Sequence, residues 1–189
     1  MRGTRDKILD AANKLFYADG VRAVSVDAVA ATAGVTKRTL YYHFRSKDEL
    51  IAAYLESRDQ PNLKIFKEWF DSAEGPAANK IAVLFQNLAR SARHPKWRGC
   101  GFLRTIAELA NMPGHPAVAV GAMHKKKFEL WIAEELSSEG RSSEEAAQLA
   151  RHIVLLLDGA FSAMLTHRDA SYVEEAGRAA ARLVAFEQG

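Results

Sequence analysis

The densest run of groups able to recognise an anion or a base edge is Thr36-Lys37-Arg38-Thr39-Leu40-Tyr41-Tyr42-His43-Phe44. Wound as a helix, Leu40 and Phe44 fall four residues apart and can anchor one face in a core. Lys37, Arg38 and Tyr41 then lie on the opposite side, with Thr36, Thr39 and Tyr42 flanking them and His43 near the helix end. A basic group can pair with guanine or phosphate, a hydroxyl can donate to a phosphate oxygen, and an aromatic ring can touch a thymine methyl. Lys47 follows at the start of another helix, where free backbone N–H groups also favour an anion. A plainer alternative stays open on composition alone: polar side chains along one helix are usually a solvated face.

The elements that must hold this run are short and closely spaced. Ile8, Ala11, Ala12, Leu15 and Phe16 form one stripe of a helix over Thr4–Ala18, which Asp19-Gly20 ends. Ser25 caps a second helix, Val26–Ala33, stopped by Gly34, and Val35-Thr36 opens the third. Two short helices joined by a tight Gly-containing turn are the helix-turn-helix arrangement, whose second helix can enter the major groove. Ser46-Lys47-Asp48-Glu49 reads as a capping box opening a long fourth helix, in which Pro61 predicts a kink or break. Gly75-Pro76, Cys100, Pro116, Ser142 and Ser171 open five more helices. The fold class is therefore all-α: a helix-turn-helix domain over residues 1–47 and a larger helical domain over 48–189.

Composition supports this reading and excludes others. The chain has 189 residues, 48% hydrophobic and 26% charged, as in a globular protein with a real core. Residues 1–50 carry nine Lys/Arg and six Asp/Glu, while the other seventeen basic and seventeen acidic residues cancel. The whole net charge of +3 thus sits in the first quarter, a hint of an anionic partner there. One cysteine, Cys100, excludes an intrachain disulfide and fits a reducing, cytoplasmic setting. The charged start lacks the apolar stretch of a secretory signal. The apolar run from Ile153 to Leu165 contains Asp158 and is short for a membrane span. No His pair stands at i, i+4, so no metal site is expected, and no cofactor motif is present. An enzyme is disfavoured: Gly-x-Ser-x-Gly, His-Glu-x-x-His and the phosphate and dinucleotide loops are all missing.

From residue 4 to about 55 the chain resembles the TetR family of transcriptional regulators. The resemblance rests on Arg5-Asp6-Lys7-Ile8-Leu9-Asp10-Ala11-Ala12, Leu15-Phe16, Gly20 and Val29-Ala30. It continues through Ala33-Gly34-Val35 and the run Thr36–Phe44 to Lys47 and Glu49-Leu50. It implies a homodimeric, ligand-responsive repressor on a palindromic double-stranded DNA operator. It places Lys37, Arg38, Thr39, Tyr41 and Tyr42 in the groove, and Ser25, Thr36, His43 and Lys47 at phosphates. Asp27 departs from this pattern, since a carboxylate there would repel phosphate. It could instead accept from a cytosine amino group or face away.

The resemblance also implies an effector pocket among the fourth to seventh helices. Phe66, Trp69, Phe70, Phe85, Leu88, Phe102, Ile106, Met123 and Phe128 are candidate walls, with Asp158, Asn87 or Thr105 to orient the ligand. Such a lining favours a small, mainly apolar effector. The same aromatics also fit an ordinary core, and Asp158 a structural hydrogen bond. The eighth helix is apolar on more than one face, so its surplus face should meet a second copy. Leu156, Gly159, Ala160, Met164, Ala180 and Leu183 are the expected dimer residues. An architectural DNA binder or an activator without an effector is the alternative.

Overall fold

The computed structural model describes residues 3–186. All regular structure among them is helical: α1 Thr4–Asp19, α2 Val26–Ala33, α3 Lys37–His43, α4 Lys47–Asp71, α5 Ala77–Ala92, α6 Gly101–Glu108, α7 Pro116–Ser138, α8 Ser143–His167 and α9 Ser171–Phe186. The boundaries follow the capping residues. The Ser25 hydroxyl accepts the Ala28 N–H, that of Thr36 accepts the Thr39 N–H, and Ser142 and Glu145 close a reciprocal capping box on α8. Gly34 ends α2 at φ 68°, a left-handed turn that lets the chain reverse directly into α3.

The chain forms two compact units, residues 1–60 with 100–123, and residues 61–99 with 124–189. The first exceeds the 1–47 expected of a reading domain. Leu50, Ile51, Tyr54 and Leu55 of α4 and Phe102 of α6 are buried in the same core as Ile8, Phe16, Val29 and Leu40. That core needs more apolar surface than three short helices supply. The boundary inside α4 falls at Pro61. The expected break there is absent, and α4 is helical from Lys47 to Asp71. In a 25-residue helix the single lost backbone bond is outweighed by the bonds on either side.

In the second unit α9 packs along both α5 and α8. Gly177 faces Phe85 so closely that a β-carbon there would collide with the phenylalanine's own Cβ. α8 spans 25 residues with a window of mean hydropathy 1.4, long and apolar enough by composition to cross a bilayer. Its Ile153, Leu157, Ala160, Phe161 and Met164 are nevertheless buried inside the unit, as in the core helix of a globular domain. Of the expected dimer residues, Ala160, Met164 and Ala180 are at most 5% exposed within one chain. The exposed apolar groups on these helices include Leu155, Leu183 and Phe186, with Gly159 open to solvent as well.

Candidate nucleic-acid interface

Leu40 and Phe44 are fully buried and fix α3 to the first core, and the Arg5 guanidinium lies 4.9 Å above the Phe44 ring. With that face pinned, the rest of α3 must point outward. Thr36, Lys37 and Arg38 are exposed, Tyr41 is 41% exposed and Tyr42 is 85% exposed. His43 is half-buried, its ring edge-on to Tyr42 at 5.2 Å. The Thr36 and Thr39 hydroxyls lie 2.8 Å apart, and the Thr36 hydroxyl also caps the helix, so its orientation is fixed. An 85% exposed tyrosine gains little from burial in its own chain.

Ser25 stands exposed at the start of α2 with its hydroxyl committed to the cap. Lys47 is half-buried at the first turn of α4, and its ammonium donates to the Arg22 carbonyl at 3.4 Å. Burial lowers the Lys47 pKa, opposed by the carboxylates of Asp48 and Glu108. The nine residues read from the sequence therefore lie on α3 and at the starts of α2, α3 and α4, all within the first unit.

Two pairings on this surface escaped the sequence reading. Asp27, at the second position of α2, places its carboxylate 3.0 Å from the Lys37 ammonium. The partnership raises the Lys37 pKa, through the hydrogen bond first and the charge second. Arg22 is held from the far end of α6: its N–H donates to the Glu108 carboxylate at 2.8 Å, and its guanidinium to the Glu108 carbonyl at 3.4 Å. That carboxylate rests against Gly20, where a β-carbon would stand 2.7 Å from an oxygen and where φ is +90°. Arg104, one turn earlier on α6, donates to the Tyr17 carbonyl at 2.7 Å. The Lys37–Asp27 spacing of ten residues spans a turn, and Arg22 and Glu108 are 86 apart, so no helical period announces either pair.

The ten expected pocket residues are divided between the units. Phe66, Trp69, Phe70, Phe85, Leu88, Phe128 and Asp158 belong to the second, and Phe102, Ile106 and Met123 to the first. In the second unit the rings of Phe66, Trp69, Phe128, Trp131 and Phe70 form a chain of edge-to-face contacts with centroids 5.3–5.6 Å apart. Asp158 forms an ion pair with Lys125, whose ammonium also lies over Phe161 at 5.5 Å. In the first unit Phe102 is fully buried, Ile106 packs against Gly121 and Met123 is 57% exposed. A groove of about 400 Å³ on the second unit is lined by none of the ten. Its walls are Ala82, Gln86, Arg90 and Arg93 of α5 and its C-terminal cap, with Glu174, Gly177 and Arg178 of α9.

Residues 8–54 match the bacterial regulatory proteins of the tetR family. The HTH-type transcriptional regulator SrpR of Pseudomonas putida is 33% identical over 104 residues, 47% of this chain and 49% of its own. The match thus spans about half the length of that relative. TtgW, an HTH-type transcriptional regulator also from Pseudomonas putida, is 33% identical over 104 residues, 47% of this chain and 78% of its own. Among solved structures, SCO4454, a TetR-family transcriptional regulator from Streptomyces coelicolor, is 30% identical. It superposes with a TM-score of 0.81 over 97% of this chain and 95% of its own. A match to the reading helices is thus joined by likeness along nearly the whole chain, and the chain belongs to the TetR family of DNA-binding transcriptional regulators.

Proposed function

We propose that two copies of this chain bind a two-fold-symmetric DNA site and repress transcription from it until a small, mainly apolar molecule releases them. The observation that carries the DNA part is the split of α3 into a buried Leu40/Phe44 edge and an exposed Lys37/Arg38/Tyr41/Tyr42 edge. Groups of these types reach base edges, and Ser25, Thr36, His43 and Lys47 supply hydroxyl, imidazole and ammonium groups of the types that contact phosphates. Pairing is supported by Leu155, Leu183 and Phe186, apolar groups left exposed on α8 and α9. Such groups gain from burial against a second copy.

The effector part is supported by the ring chain of the second unit, whose apolar, edge-to-face surfaces suit an aromatic or aliphatic guest. In this reading effector and DNA weaken each other's binding by linkage. Selection of bound duplexes from random DNA tests the first part. The expected product is a palindrome with half-sites about one helical turn apart, or a multiple of it. An unstructured pool after several rounds overturns it. A thermal-shift screen of apolar molecules tests the second, because only a sensor gains stability from them. DNA binding without any stabilising molecule favours an architectural binder.

A further inference from the structure

We infer that Asp27 sets sequence discrimination by holding Lys37 as a base reader and keeping it from serving as a free phosphate anchor. This rests on the DNA-binding reading of α3. The two side chains meet at 3.0 Å across the helix-turn-helix, Asp27 67% and Lys37 54% exposed, on the edge that also carries Arg38, Tyr41 and Tyr42. A carboxylate turned toward a polyanion weakens binding to every sequence alike. Its contact with a residue of this edge therefore calls for a compensating effect.

The pair supplies one. Together Asp27 and Lys37 carry no net charge and release no counterion, so they add nothing to sequence-independent affinity. An ammonium has three donors, and Asp27 occupies one. The two left can reach the O6 and N7 acceptors of guanine, and the long side chain is already ordered before DNA arrives. Without Asp27 the same ammonium is free to swing to the nearest phosphate, where it binds any duplex.

The experiment compares the selected duplex with a scrambled duplex of the same composition across a salt series, for the unaltered chain, Asp27→Asn, and Asp27→Asn with Lys37→Met. Asp27→Asn is expected to bind the scrambled duplex more tightly and to steepen the salt dependence there by about 0.9 in log–log slope, one added phosphate contact. The preference for the selected duplex should fall about tenfold, the low end of what one base contact supplies. Adding Lys37→Met should return scrambled-duplex affinity to the unaltered level while the preference stays low. If Asp27→Asn strengthens both duplexes by the same factor, or changes neither, the inference is overturned and the DNA-binding reading stands. If the unaltered chain prefers no duplex, that reading fails and takes the inference with it. Both positions are exposed, and unchanged thermal unfolding of the variants confirms that folding is not what moved.

Discussion

Tyr42 and Phe128 are both aromatic residues of helices, and the chain treats them oppositely. Tyr42 is 85% exposed on α3, with the His43 ring beside it. Phe128 is 2% exposed on α7, between Phe66 at 5.3 Å and Trp131 at 5.5 Å. The buried ring gains hydrophobic and edge-to-face energy from its own chain, and the exposed one forgoes both. The first unit buries Phe16, Phe44, Tyr54 and Phe102 yet leaves Tyr42 uncovered, while the second packs the Phe66–Phe128–Trp131–Phe70 rings against one another. Stability and recognition should accordingly separate on substitution, and four experiments probe how cleanly.

The largest stability loss is expected from Phe128→Ala, which empties the centre of the ring chain and should cost about 3–5 kcal/mol by denaturant unfolding. A loss under about 1 kcal/mol would mean that the neighbouring rings collapse into the vacated space. Tyr42→Ala is the counterpart. It should leave unfolding within about 0.5 kcal/mol of the parent and weaken binding to the selected duplex by roughly 1–3 kcal/mol. Equal effects on stability and binding would erase the contrast between the two rings.

The Lys125–Asp158 pair comes next. It is a polar exception inside the aromatic unit, with side chains 17% and 31% exposed. Asp158→Ala strands a mostly buried ammonium over Phe161 and should cost about 1–3 kcal/mol, less than a fully buried pair because water still reaches both partners. Lys125→Met combined with Asp158→Leu should recover most of that loss. If the double variant stays as unstable as the single one, the pair is fixing the packing of α7 on α8, and charge burial is the lesser effect.

How much of this was legible in the sequence depended on the range of the interaction. Helix starts were readable because Ser25, Thr36 and Ser142 bond to backbone three residues away, and helix ends because Gly20 and Gly34 need positive φ. The exposed edge of α3 was readable from Leu40 and Phe44 alone, since fixing one side of a helix fixes the other. Of the kink or break expected at Pro61 only the break is excluded, because a local penalty has to be weighed against the 25-residue helix around it. The burial of Ala160, Met164 and Ala180 within one chain was hidden for a related reason. α8 is apolar on several faces, and which face meets α9 of the same chain depends on a tertiary choice that periodicity leaves open. Asp27 with Lys37, Asp158 with Lys125, and Arg22 with Glu108 are each joined by folding at separations without a helical period.

The smallest expected effect concerns the caps, where the two units use the same device at different distances from function. Ser142 and Glu145 bond reciprocally at the start of α8, and the bonds from Ser142 hold the fully exposed Glu145 carboxyl below its ordinary pKa. A carboxyl depressed in the folded state adds stability that is complete above its unfolded pKa of roughly 4.3 and fades as pH falls through the lower folded value. Glu145→Gln should therefore lower stability slightly at neutral pH, converge with the parent in acid, and leave DNA binding at neutral pH unchanged. Thr36→Ala removes the equivalent cap from α3 and should cost about 0.5–2 kcal/mol of stability at any pH. Because the same hydroxyl stands at the proposed phosphate edge, Thr36→Ala should also weaken duplex binding and Glu145→Gln should not. Unfolding midpoints measured from acid to neutral pH alongside duplex titrations check both halves. A Glu145→Gln deficit that persists in acid would show that the carboxylate's charge plays no part in capping α8.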